Sequence, residues 1–532
     1  MIKQWKIFVA PFFLLIIFSC ENNKARDVVR DTTITEEVAY NNLFMDSLQL
    51  LHFINDHPEF NQFQQQFFDF YKRRNYEYAW FDSSGLQEQA KNFMNLLNVT
   101  SQQMDDSSLY NKKLNELYIQ FDSGLVNPNP KISPLQTELY LTGQFFVYAS
   151  KVYKGKDVDA TELGWYIPRR KYNLTDLLDS AILSRGEKQK MYLPLSRQFN
   201  RMQDAIAKYN HIKKTYKWDS IPLPGKVYKI GDTAHAISLI KQRLYILGDY
   251  QAEDTSSVYD TAFITAVKAF QQRMGLTADG ELGRNTITEL NTPVTQRIKT
   301  LLINLERIRW MPAEGDSTFI LVNIPEFRLH VFDTGKQLFQ MKIIVGKAGT
   351  NTVIFTGYLK YIVFSPYWNV PQSIVRKEIL PAINRNPAYI SSHNMEITGY
   401  SNGLPVVRQK PGPDNALGHV KFLFPNEYNI YLHDTPNREL FSQTNRMFSH
   451  GCIRIEEPKK LAEFLLRSKP EYTSSVIDSL MHLNHDNWIT LPNPVRVFIG
   501  YFTAWTDANG KINFRKDIYG HDKKLASRLF EP

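Results

Sequence analysis

The sequence predicts a multidomain α+β chain: a helical N-terminal region, a small three-helix module and a largely β C-terminal domain with an insertion. Three observations carry this. The chain has 532 residues, which at about 150 residues per domain asks for three or four cores. Apolar residues recur at helical spacing up to about residue 220, and from about residue 315 runs rich in Ile, Val, Leu and Phe replace them. Hydrophobic residues make up 43% and charged residues 22%, with 25 Gly and 26 Pro, which excludes a wholly disordered, collagen-like or multi-span membrane chain. Lys and Arg number 63 against 54 Asp and Glu, and the resulting +9 is not gathered in any long basic run. That balance permits an anionic partner without demanding nucleic acid.

Residues 1–20 come first. Lys3 and Lys6 precede the apolar run Ile7–Phe18, too short for a bilayer, where about 20 residues are needed. The stretch reads as a secretory signal, and its ending Ile17-Phe18-Ser19-Cys20 resembles a bacterial lipobox. That resemblance implies Cys20 as the lipidated first residue of the mature protein, anchored at the periplasmic face of the envelope. Two cysteines make no disulfide framework. With Cys20 used by lipid, Cys452 is the single thiol left, and a lone thiol in an exported protein points to chemistry. Residues 21–35 are polar and read as a tether.

Residues 36–225 are expected to form a helical scaffold. Leu48, Leu51, Phe53 and Ile54 mark one helix; Leu135, Leu139, Tyr140, Phe145, Phe146 and Tyr148 mark a buried one. Tyr76, Tyr78, Trp80 and Phe81, closed by the turn Asp82–Gly85, read as core packing. No chemistry is evident in this region.

Residues 228–295 are punctuated more sharply. Ile237, Ile240 and Leu244 mark a helix; Phe263, Val267 and Phe270 mark a second; then come Gln271, Gly275, Leu276, the Asp279-Gly280 turn and Thr286. The FQxxxGL-like segment followed by a DG turn resembles the peptidoglycan-binding module of cell-wall enzymes, which implies glycan-wall contact. A spacer bundle with no ligand is the alternative.

A linking helix, Arg297–Trp310, leads into the β domain, 315–522. Strands are expected within Phe319–Phe332, at Met341–Val345 and at Tyr361–Phe364, with a terminal hairpin from Val495–Thr506 to Ile512–Phe514 across Asn509-Gly510. The insertion, about 372–418, holds the helix-like Ser373–Leu380 and five prolines, as expected of a lid or binding loop.

The strand Asn429–Leu432 runs into His433-Asp434-Thr435-Pro436; fifteen residues lie between His433 and Ser449, which opens Ser449-His450-Gly451-Cys452-Ile453-Arg454. A cysteine needs a base to be a nucleophile at neutral pH, and His433 and His450 are the candidates. Glu457-Pro458 opens a helix, so Cys452 is expected close before a helix N-terminus. Gly451 leaves the amides of Gly451 and Cys452 free as an oxyanion hole. The residue types alone also allow a zinc site from His433, His450 and Cys452, or an inert core cysteine in a non-catalytic wall-binding lipoprotein.

A His spaced about 15 residues from Ser-His-Gly-Cys resembles the YkuD-type L,D-transpeptidase motif. The order of lipobox, helical scaffold, peptidoglycan-binding module and capped catalytic domain, with Pro366–Pro371 and Tyr431–Pro436, resembles the YcbB-like group of that family. The resemblance implies Cys452 as nucleophile, His433 as base, and Ser449, His450 and Gly451 as support. It implies 3-3 cross-linking of peptidoglycan stem peptides with release of D-Ala, without metal or organic cofactor; an L,D-carboxypeptidase or amidase using the same cysteine is the alternative. Many members carry Asn where this chain has Arg454, which is expected either to pair with Glu456 or Glu457 or to meet a substrate carboxylate. Strand alternation sets Tyr431 beside His433 as a cleft wall, and Trp368 is a second candidate.

Overall fold

The computed structural model describes residues 42–122, 133–169, 171–183, 197–223, 225, 227–251, 254, 256–312 and 317–530. The signal segment, Cys20 and the tether lie outside them. The chain forms two compact units, one from residues up to Lys91 with Lys113–Gly143, the other from Asn92–Lys112 with Gln144 onward. The 36–225 region expected to be one scaffold therefore divides between both.

In the first unit, helix Ser47–Asp56 buries Leu50, Phe53 and Ile54, while Leu48 is exposed and Leu51 half-buried. Asp46 closes a capping box with Gln49, which satisfies the first amides of that helix. Trp80 is fully buried and its indole N–H donates to Thr142 Oγ1 at 2.9 Å. Beside it the buried Glu138 carboxyl accepts from the Ala79 and Trp80 amides, at 2.6 and 2.9 Å, and from Tyr71 Oη at 2.8 Å.

In the second unit, helices His235–Leu247, Thr261–Arg273 and Arg284–Leu290 make the three-helix module. Gln271 explains its sequence signature. The side-chain amide donates to Asp279 Oδ1 and the Glu281 carbonyl, at 2.8 and 2.9 Å, and its oxygen accepts from the Gly280 amide at 2.8 Å, stapling the DG turn to the helix. Helix Val294–Trp310 then leads into the β domain.

That domain is a closed ring. The strand order is Val420–Leu423, Leu432–His433, Ile453–Ile455, Lys336–Gly346, Arg328–Asp333, Phe319–Asn323, Asn487–Gly500 and Ile354–Phe364, and the last pairs back to the first. Leu329, Val331, Ile343 and Val497 point inward and are fully buried. Three expectations change. Asn487–Gly500 is a barrel strand that ends at Gly500, so the terminal hairpin is only Ala504–Thr506 with Ile512–Phe514. Trp165–Tyr166, placed by sequence in the helical scaffold, is a strand parallel to Ile354–Phe355, held by ring contacts of Trp165 with Trp310 and Phe502. The domain also runs past 522, through the helix His521–Phe530.

The insertion is a folded subdomain. Trp368–Asn369, Leu404–Gln409 and Met395–Ser401 form a separate three-stranded sheet, and a helical run from Gln372 to Arg385 packs on it. Val370, Val375, Ile379, Met395 and Val407 are its core. Within the run, Val375–Ile379 is a π-turn, with the Leu380 amide bonded to the Val375 carbonyl. Pro381 has no N–H to give the Lys377 carbonyl, and this local loss of α-helical bonding accompanies the wider turn.

Candidate active site

His433 ends a two-residue strand that pairs in parallel with Ile453–Arg454, so His433 and the residues following Cys452 lie side by side. The expected strand Asn429–Leu432 is shorter than predicted. Asn429 is left-handed, φ +54°, and the Asn426 side chain occupies the Ile430 amide and carbonyl at 3.2 and 2.7 Å, in place of a neighbouring strand.

His433 is buried, and its Nδ1 lies 2.6 Å from the Asp434 carbonyl. A carbonyl only accepts, so Nδ1 carries the proton and Nε2 keeps its lone pair. Burial, with Arg454 and then Lys421 as neighbouring cations, pushes the imidazole down to about 3. Lys421 is the cross-strand partner of His433, and Arg454 is its partner on the other side. His433 is therefore neutral at any ordinary pH.

Cys452 is half-buried, not a core cysteine, and its Sγ lies 3.6 Å from the Asn429 carbonyl. Burial raises the thiol, against hydrogen bonds from the Tyr431 amide and hydroxyl and the charge of Arg454. The expected dipole does not reach it. A strand, Ile453–Ile455, separates Cys452 from the helix that begins at Pro458, and the dipole effect fades within the first turn. Tyr431 sits at the Cys452 sulfur, with its ring centroid 5.7 Å from that of His433.

The loop before the thiol is braced from several directions. Ser449 Oγ donates to the Cys452 carbonyl at 2.5 Å and accepts from the Gly451 amide at 3.1 Å. The Gly451 amide is thus engaged, leaving the Cys452 amide as the candidate oxyanion donor. Gly451 itself is left-handed, φ +121°, a conformation only glycine holds without strain. Its carbonyl accepts from Thr352 Oγ1 at 2.8 Å, and Thr352 Oγ1 in turn accepts from the Gly346 amide at 2.9 Å. Tyr519 Oη donates to the Gly346 carbonyl, and a Cβ on Gly346 would lie 2.0 Å from the Thr350 carbonyl oxygen.

His450 faces the insertion, with Nε2 2.9 Å from Glu378 of the π-turn. Asp434 pins the other end of the insertion: Oδ2 accepts from the His419 amide at 2.8 Å, Oδ1 pairs with Arg438 at 2.6 Å, and a Cβ on Gly418 would strike its carboxyl at 2.4 Å. Trp368, the second candidate wall, packs partly buried against the core of the insertion. Arg454 pairs with neither expected glutamate, since Glu456 binds Lys342 and Glu457 binds Lys460, both at 3.1 Å. Among the described residues, Arg454 Nε is buried without a hydrogen-bond partner. Sequence reasoning passed over Thr352, Tyr519, Lys421, Asp434 and Glu378. Only Asp434 had a local signal, the His-Asp-Thr-Pro phrase.

Comparison with known proteins places domain matches along the chain. The YkuD family, the L,D-transpeptidase catalytic domain, matches residues 317–477. The C-terminal domain is of the YkuD type. A scaffold domain matches residues 65–206, and a "putative peptidoglycan binding domain" matches residues 233–290. The protein named "Putative L,D-transpeptidase" of Haemophilus influenzae is 31% identical over 309 residues, 53% of this chain and 62% of that relative's length. Among solved structures, an L,D-transpeptidase of Stackebrandtia nassauensis is 16% identical, covering 53% of this chain and 98% of its own, with a TM-score of 0.22. Mycobacterium tuberculosis L,D-transpeptidase 1 is 15% identical over 35% of this chain and 63% of its own, with a TM-score of 0.18.

Proposed function

We propose that this chain is an L,D-transpeptidase that joins peptidoglycan stem peptides by 3-3 cross-links through a Cys452 acyl-enzyme. The observation that carries the reading is that a neutral, buried His433, with Nε2 unprotonated, and a half-buried Cys452 thiol share Tyr431 and Arg454 as neighbours. In the first half-reaction, His433 Nε2 takes the thiol proton as Sγ attacks the carbonyl joining the third stem residue to D-Ala. The Cys452 amide faces the developing oxyanion, and the imidazolium returns its proton to the departing D-Ala amine. In the second, an amine on a neighbouring stem gives its proton to His433, attacks the thioester and releases the thiolate, which is reprotonated. Tyr431 steadies the sulfur while it is anionic. The transient imidazolium, between Arg454 and Lys421, has a strong tendency to give its proton up.

The module at 233–290 supports peptidoglycan as the substrate. We further propose that Cys20 carries the lipid that holds the enzyme at the periplasmic face of the envelope. The test is mass spectrometry of products from a purified disaccharide-tetrapeptide. The expected outcome is a Cys452 adduct short of D-Ala, then a 3-3 dimer, both lost in Cys452→Ala. Tripeptide alone in ample acceptor would overturn the transpeptidase reading in favour of a carboxypeptidase.

A further inference from the structure

A groove of about 1420 Å³ opens on the outer face of the barrel, and its lining includes neither Cys452 nor His433. Its floor follows from strand alternation. Leu329 and Val331 point into the barrel, so Arg328 and His330 point out, paired in register with Lys342 and Gln340 of the next strand. Arg496 and Phe498 extend the floor on the other side. One wall is the three-helix module. Its seat is specific: Gly275, φ +68°, leaves room for Arg515, whose Cδ would be 2.5 Å from a Cβ there, and Arg515 Nη1 donates to the Arg273 carbonyl at 2.8 Å. The other wall is segment 441–447, which leads directly to Ser449 and touches the module through Thr444 Oγ1 and Thr277 Oγ1, 2.9 Å apart.

The lining carries ten Lys and Arg against four Asp and Glu. Of the four, Glu326 is taken up by His330 at 2.9 Å and Asn323 at 3.1 Å. The buried Arg446 gives its donors to the carbonyls of Ile343, Gln443 and Phe327, at 3.1, 2.6 and 3.0 Å, and to no carboxylate. Arg496 Nε is buried without a hydrogen-bond partner among the described residues. Lys342 is paired with Glu456 at 3.1 Å, but a guanidinium with a buried, unpartnered Nε in a partly dry groove gains from an arriving anion. The volume exceeds the roughly 300–1,000 Å³ of ordinary small-molecule pockets, which favours an extended ligand.

We propose that this groove is a second binding site for a short peptide bearing several free carboxylates, of the class of a stem peptide on a neighbouring strand. The identity of the peptide rests on the transpeptidase reading above; the anion preference rests on the lining alone. Occupancy here would hold an acceptor strand beside the segment that carries the nucleophile.

The experiment is calorimetric titration of the whole chain, as Cys452→Ala to stop turnover, with disaccharide-tetrapeptide at low and high salt. Two sites are expected. One of them should weaken at least tenfold with salt and be lost in Arg328→Glu and in Arg496→Gln, each checked for folding by circular dichroism and melting. A single site, a second site that both folded variants retain, or equal competition by a neutral chitotetraose would overturn the proposal. Failure of the cross-linking reading would appear separately, as absence of acylation at Cys452 in the unmutated enzyme.

Discussion

Reaction of Cys452 with iodoacetamide should rise with pH through 9 and show no plateau below neutrality. Burial holds the thiol above its ordinary 9.0, so at pH 7 the thiolate fraction is at most about 1%. The imidazole, at about 3, is then protonated in only about one molecule in ten thousand, so a resting thiolate–imidazolium pair is not populated. Arg454 acts on both groups in the same direction, lowering thiol and imidazole, whereas Lys421 acts on the imidazole. Arg454→Gln should therefore slow alkylation at pH 8, tenfold for each unit the thiol rises, and move His433 upward in an NMR titration. Lys421→Gln should move His433 upward and leave alkylation unchanged. Stopped-flow or quenched alkylation with intact-mass detection gives the rates. A rate plateau at pH 5–7, or faster alkylation in Arg454→Gln, would refute the electrostatic reasoning, because either requires an ion pair in the resting site.

Ile379→Ala, in the small core of the insertion, should cost about 2–5 kcal/mol locally; proteolysis should then concentrate within 371–418 and the ratio of tripeptide to dimer should rise, with the barrel strands still protected from hydrogen exchange. Glu138 is pushed up to about 7 by burial, so the folded state keeps a proton that the unfolded chain releases above its ordinary 4.5. Stability therefore falls as pH rises between those values, by about 3 kcal/mol. The melting temperature should drop from pH 5 to pH 8, and less so in Glu138→Gln.

The proposed pair, His433 and Cys452, stands out in the sequence because its information is local. His433 lies on a short apolar strand, and Ser-His-Gly-Cys is contiguous, so residue type and spacing suffice. The brace does not, because Thr352 reaches Gly451 across 99 positions and Tyr519 reaches Gly346 across 173. Nothing in their neighbours marks them. The Gln372–Arg385 run was legible only as the shorter helix-like Ser373–Leu380, because Pro381 and the π-turn break the helical period at its far end. Trp165–Tyr166 is only two residues long and pairs with a strand nearly 190 positions away, so no periodicity exists to read. The module signature was legible for the same reason as the motif: Gln271 staples residues within fifteen positions of itself.

These long-range contacts set the smallest piece of chain that can hold the site. The family match ends at residue 477, yet the barrel is closed by Asn487–Gly500, which pairs with Phe319–Asn323 on one side and Ile354–Phe364 on the other. Without that strand both neighbours become open edges, with unpaired amides facing water or another chain. The brace on Gly346 comes from Tyr519, farther still along the sequence. On the N-terminal side, Asn304 exchanges hydrogen bonds with Thr503 at 2.8 and 2.9 Å, and Arg307 pairs with Asp522 at 2.6 Å. Helix Val294–Trp310 is thus bonded to the same segment that leads from the closing strand to Tyr519. The Cys452 loop is positioned by a frame that begins before residue 317 and ends after 519, and the module is joined to that frame by Arg273, which donates to the Ile512 carbonyl at 3.0 Å.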